Sequence, residues 1–139
     1  MPDRITALLV HHNSEIFITL KAALEHQGLR VARAESRAQA KHALGVQKPA
    51  PLVFTDTHLP DDGTWADILA LAGKAPLPVN VIVVARTVNT RLYLDTLEAG
   101  AFDFIVPPFD ALGLAHVVRC AADNVFMRRN ARPPSDQAA

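Results

Sequence analysis

Asp56 closes the apolar run Leu52-Val53-Phe54-Thr55 and opens the polar segment Thr57-His58-Leu59-Pro60-Asp61-Asp62-Gly63. A carboxylate placed where a buried strand gives way to a loop can attack a phosphoryl group or hold a hard metal ion. Phosphoryl chemistry there rests on positioning and charge neutralisation, so the carboxylate needs a divalent cation and a protein cation beside it. The other groups of interest are imidazoles, His11, His12 and His58. Imidazoles beside Asp56 would suit a transition metal in place of Mg²⁺. Neighbouring strand residues point to opposite faces, so His11 and His12 reach Asp56 together only if the chain has left its strand by His12. We therefore expect no metal site. Asp61 and Asp62 precede a helical segment, where carboxylates cap or complement a helix amino end. The single Cys120 excludes an intramolecular disulfide and a cysteine-based metal cluster, and reads as a small apolar residue on a helix. Val10-His11-His12-Asn13-Ser14 has no glycine that would let a phosphate approach backbone amides, which argues against a phosphate-loop enzyme.

The elements that must position these groups alternate along the chain. Strand-like runs at Ile5–Val10, Leu29–Ala32, Leu52–Thr55, Val79–Ala85 and Phe102–Val106 alternate with helical segments. The helices are expected near Ser14–Gln27, Arg37–Val46, Thr64–Ala72, Asn89–Ala99 and Ala111–Arg129. Gly28, Gly73 and Gly100 are expected to stop the first, third and fourth. Five β-α repeats with near-continuous apolar strands imply a doubly wound α/β fold, a parallel sheet with helices on both faces. His11, Asp56, Ala85 and Pro107 then fall at the carboxyl ends of strands, where such sheets place their ligands. In the last helix, Leu114, Val117, Val118, Ala121, Val125 and Met127 form a stripe expected to cover the sheet.

The bulk composition fits one unit. A chain of 139 residues, 50% hydrophobic, can bury one full core. Residues 1–129 are expected to form the domain. Residues 130–139, with Pro133-Pro134-Ser135, read as a disordered tail or the start of a linker to an output domain. Fourteen basic residues balance fourteen acidic ones, so the domain has no whole-molecule attraction to nucleic acid or anionic membrane. No apolar stretch approaches the ~20 residues of a membrane span, and the start lacks a secretory pattern. A cytoplasmic location is the expectation.

Asp56, Pro60 and Gly63, the segment Glu98-Ala99-Gly100-Ala101, and Pro108-Phe109 together resemble the receiver domain of bacterial two-component response regulators. The resemblance covers about residues 4 to 129. It implies a flavodoxin-like three-layer α/β/α sandwich with strand order 2-1-3-4-5, a signalling domain and not an enzyme, with Asp56 as the phosphoacceptor equivalent. Other positions depart from the family pattern. Its acidic pair, which holds Mg²⁺, corresponds to His11 and His12; its phosphate-pairing lysine to Pro107; its switch hydroxyl to Ala85. Phe104 occupies the position of the aromatic that follows that hydroxyl, and the Pro107-Pro108 bond is expected to be cis. Proline offers no cation and alanine no hydrogen bond.

The resemblance, with these departures, implies an atypical receiver acting through protein-protein contacts, with weak or absent Mg²⁺ binding and no other cofactor. Expected partners are an output domain or separate protein, a histidine kinase, and a second copy through helix four, strand five and helix five. That face carries Arg86, Arg91, Tyr93, Asp95, Glu98, Asp103 and Asp110. No membrane partner and no direct nucleic-acid binding are expected of the domain. The rival readings are a conventional phosphorelay receiver phosphorylated on Asp56 by a histidine kinase, and a flavodoxin-like ligand-binding domain or small enzyme.

Overall fold

The computed structural model describes residues 4–131. In chain order the elements are β1 (Thr6–Val10), α1 (Glu15–His26), β2 (Arg30–Ala34), α2 (Arg37–Leu44), β3 (Leu52–Asp56), α3 (Trp65–Gly73), β4 (Asn80–Val84), α4 (Thr90–Glu98), β5 (Asp103–Ile105) and α5 (Ala111–Asn130). The five strands form one sheet in the order β2-β1-β3-β4-β5, and all four pairings are parallel. This is the expected doubly wound, flavodoxin-like fold.

The sheet separates two apolar layers because side chains alternate along each strand. Ala7 and Leu9, with Leu52, Phe54, Ile82 and Val84, pack under Phe17, Leu20 and Leu24 of α1 and Leu114, Val118, Ala121 and Val125 of α5. Leu8, Val10, Val53 and Val81 face the other way, against Ala40 and Leu44 of α2 and Ile68 and Ala72 of α3. Strand β4 is buried at all five positions, as a central parallel strand must be. The stripe expected on α5 does cover the sheet through Leu114, Val118, Ala121 and Val125, but Met127 turns outward and is 62% exposed. Helix α4 is held most lightly: its one buried residue is Thr96.

Element boundaries shift for identifiable reasons. Strand β2 runs to Ala34, two residues past the expected end, because the ladder to β1 continues to Val10↔Ala34 whatever the polarity of Arg33. Gly28 and Gly100 end their helices with φ of +90° and +110°, the left-handed geometry that favours glycine. Gly73, expected as a stop, is instead the last helical residue of α3, with Lys74 as its cap. Helix α5 extends to Asn130, the first residue of the tail expected over residues 130–139; residues 132–139 lie outside the described residues.

Asn80, which interrupts the apolar run of β4, is buried and fully used. Its side-chain amide donates to the Ala121 carbonyl at 2.8 Å and to Asn124 Oδ1 at 3.1 Å, and its Oδ1 accepts from Arg128. Arg129 donates through Nε to the Pro78 carbonyl and through Nη2 to the Pro49 carbonyl, each at 2.9 Å. A buried polar group is tolerated when its hydrogen bonds are made; here they fasten the end of α5 to the amino edge of the sheet. Among the described residues no helix is long and apolar enough to cross a membrane.

Candidate functional site

The parallel register aligns the carboxyl ends of the inner strands: Val10 pairs with Thr55, Asp56 with Val84, and Val84 with Ile105. Strand β3 therefore extends one residue beyond its ladder with β1 and presents Asp56 at the sheet edge. Asp56 is half-buried, and its Oδ1 accepts from the Thr57 backbone N–H at 2.8 Å. It lines an open cleft of about 300 Å³ together with His12, Thr57, His58, Pro60 and Arg86. From the sequence, Arg86 is expected on the surface of α4 and β5. Its position immediately after the strand-end Ala85 is the signal that would have located it in the cleft.

The two histidines part company. His11 is 6% exposed, keeps the ladder by donating its N–H to the Ala34 carbonyl at 3.0 Å, and stacks its ring on Phe17 of α1. Its Nδ1 accepts from the Ser14 backbone N–H at 3.4 Å, at the amino cap of α1. Burial, reinforced by the nearby Arg33 and His12 and opposed by Glu35, lowers its pKa to about 4. His11 does not line the Asp56 cleft. His12, on the bend that follows, lines the cleft but places Nδ1 3.3 Å from Glu35 Oε1, which also pairs with Arg33 at 3.3 Å. Among the described residues no three His, Cys, Asp or Glu side chains converge to hold a metal ion.

Asp61 does not serve α3, contrary to the sequence expectation. Its carboxylate reaches across to the amino end of α2 and accepts from the backbone N–H groups of Arg37 at 3.1 Å and Ala38 at 3.3 Å. These hydrogen bonds, that of Arg37 foremost, hold its pKa below the usual carboxylate value. Helix α3 is served by Asp67, whose Oδ2 accepts from Thr64 N–H at 2.9 Å, and Asp62 sits at a positive φ of 62° in the turn. Gly63 is tightly enclosed: a Cβ there would lie 3.0 Å from Arg37 Cβ. The Asp56 loop is thereby docked onto α2.

The remaining positions lie on the β4–β5 side. Ala85 is 5% exposed and donates its N–H to the Ile105 carbonyl at 3.0 Å. Phe104 meets Tyr93 of α4 edge-on, with centroids 5.7 Å apart, and the pair lines a shallow apolar hollow with Val88, Thr90 and Val106. The Pro107-Pro108 peptide bond is cis. Cys120 is half-buried on α5 with its Sγ 3.6 Å from His116 Nε2.

The chain matches the family model for the response regulator receiver domain over residues 7–119. It is 36% identical over 102 residues to the alginate biosynthesis transcriptional regulatory protein AlgB of Pseudomonas aeruginosa, a match covering 73% of this chain and 22% of that protein. It is 31% identical over 121 residues to the response regulator protein PilR of the same organism, covering 86% and 26%. The chain thus spans about a quarter of the length of these curated relatives. Among solved structures it is similar to NtrX from Brucella abortus, with a TM-score of 0.78 at 22% identity, covering 94% of this chain and 29% of that one. It is also similar to a response regulator receiver domain protein from Methanospirillum hungatei, with a TM-score of 0.73 at 21% identity, covering 90% and 98%. At these identities the structural likeness speaks for the fold alone.

Proposed function

The chain belongs to the response regulator receiver domain family of two-component systems, and we propose that it works there by protein contact, with little or no Mg²⁺-dependent phosphorylation of Asp56. The observation that carries this reading is the make-up of the Asp56 cleft, which is lined by two imidazoles and a guanidinium and, among the described residues, by no second carboxylate. Mg²⁺ demands oxygen ligands in near-octahedral array. The residues at hand do not fit it: His11 is turned into the core, His12 faces Glu35, and Asp56 offers one carboxylate. Loss of metal polarisation removes several kcal/mol of transition-state stabilisation, on the order of a thousandfold in rate. Proline at 107 and alanine at 85 remove the cation and hydroxyl through which the family reads the phosphoryl group.

The contact surface in this reading is α4 with β5 and the start of α5. Tyr93 and Leu94 are 40% and 47% exposed, and Val88 in the preceding loop 77%. Phe104, without a hydroxyl at position 85 to follow, packs against Tyr93 as a fixed part of that surface. Because the chain spans a fraction of its relatives' length, we take it as the receiver part of a longer cytoplasmic regulator with an output domain. Its partners in this reading are that domain, a second copy, or a histidine kinase.

One observation favours the conventional rival: Arg86 lines the Asp56 cleft and is a cation in place of the lysine missing at Pro107. Intact-mass measurement after incubation with Mg²⁺ and acetyl phosphate separates the two. No acyl-phosphate adduct, and unchanged self-association with beryllofluoride and Mg²⁺, supports the contact reading. An adduct that Asp56→Asn abolishes overturns it.

A further inference from the structure

On the sheet edge opposite Asp56, Arg4, Arg30, Lys48 and Arg129 line a single cavity of about 540 Å³. The chain as a whole is neutral, yet no carboxylate side chain of the described residues lines this cavity. None of the four cations forms an ion pair with a carboxylate among the described residues. Four stretches distant in sequence meet here. Arg30 opens β2 and donates its backbone N–H to Ile5, the neighbour of Arg4, at 2.9 Å. Lys48 lies in the loop before β3, and Arg129 is tied to that loop through the Pro49 carbonyl.

Cations in the last turn of α5 would be expected from the helix dipole alone, and that accounts for Arg128 and Arg129. Arg4, Arg30 and Lys48 belong to no helix. Like charges brought to one concavity repel unless an anion joins them. Two nitrogens of Arg129 hold backbone carbonyls. Burial, and then repulsion from Arg128, disfavours its charged form, so an anion nearby would relieve it. Apart from Thr6, the rest of the lining is apolar, with Ile5, Pro49, Pro51 and the ring of Phe126, which is 38% exposed with the Arg129 guanidinium 6.0 Å from its centroid.

We propose that this cavity binds a nucleoside polyphosphate, its phosphates held by Arg4, Arg30 and Lys48 and its base set against Phe126 and the proline wall. The volume falls in the range of small-molecule sites, and planar bases stack on aromatic and guanidinium faces. A bare anion would leave the apolar wall unused. A nucleic-acid strand calls for a cationic stripe across the surface, whereas these cations converge on one hollow. Asp56 lies at the opposite sheet edge, so occupancy of the two sites does not compete.

Calorimetric titration of the 139-residue chain with ATP and GTP, and separately with pyrophosphate and adenosine, tests the proposal. The expected result is a Kd below about 0.1 mM for at least one nucleotide and at least about tenfold weaker binding of either fragment. The double variant Arg30→Glu with Lys48→Glu, both side chains being exposed, is expected to weaken nucleotide binding about tenfold or more with an unchanged circular dichroism spectrum. Phe126→Ala is expected to weaken nucleotide and leave pyrophosphate unaffected. Nucleotide affinity no better than millimolar, equal affinity for nucleotide and pyrophosphate, or indifference to the charge reversal overturns the proposal. So does displacement of bound nucleotide by a single-stranded oligonucleotide at a lower phosphate concentration, which would assign the cavity to a nucleic-acid surface.

Discussion

The imidazole of His11 lies parallel to the ring of Phe17, with centroids 4.5 Å apart and planes inclined by 13°. Stacked there, the ring is part of the α1 core and is removed from Asp56. It also cannot take a proton cheaply, since burial first and Arg33 next lower its pKa from 6.5 to about 4. The unfolded chain therefore binds more protons than the folded one between those two values, and stability must fall as pH falls through that window. The full loss, on the order of 3 kcal/mol, is reached near pH 4. Urea unfolding between pH 4 and 8 should show this slope in the native chain, and His11→Gln should flatten it. An equal slope in both would show that His11 is not its source.

Asp61→Ala removes the acceptor for two amide groups at the amino end of α2. The urea midpoint should drop at neutral pH, and amide exchange at Arg37 and Ala38 should quicken. Because the folded-state pKa of Asp61 is lowered, its stabilisation is present above the unfolded value of 3.8 and is lost as pH falls below it. The native and Ala curves should converge in acid.

Gly63→Ala and Gly73→Ala should act in opposite directions. The first sets a methyl 3.0 Å from Arg37 Cβ, an atom fixed by the backbone of α2, and should destabilise by about 1–3 kcal/mol. The second places a methyl where nothing lies within 4 Å, at the last residue of α3, and should stabilise by about 0.5–1 kcal/mol. Thermal unfolding of the pair tests both signs.

Asn80→Ala removes the bonds that tie Asn124 and Arg128 to β4, leaving them only their mutual bond from Arg128 Nε to Asn124 Oδ1, and takes the side-chain donor from the Ala121 carbonyl. A loss of about 1–3 kcal/mol is expected in urea, with the carboxyl end of α5 losing exchange protection ahead of the rest of the chain. Uniform loss of protection along α5 would refute the local role.

Much of this protein is legible in its sequence. The alternation of strand and helix follows from local periodicity, because a parallel strand buried on both faces must be apolar throughout and a covering helix must be apolar on one side. The same logic placed His11, Asp56, Ala85 and Pro107 at strand ends, and turn chemistry marked Gly28 and Gly100. Gly73 misled because a glycine also fits a helical residue with ordinary φ.

What only the tertiary structure decided are the contacts between residues distant in sequence. Asp61 caps α2 and not the helix beside it, since the β3–α3 loop packs against the amino end of Arg37–Leu44. His11 and His12, adjacent and alike in type, were separated when the packing of α1 offered one of them Phe17 and left the other to Glu35. Arg86 enters the Asp56 cleft, and Arg4, Arg30, Lys48 and Arg129 share a cavity, because the sheet order brings their segments to common edges. Periodicity fixes which face of an element is buried; the identity of what buries it depends on strand order and loop paths, which no local pattern encodes.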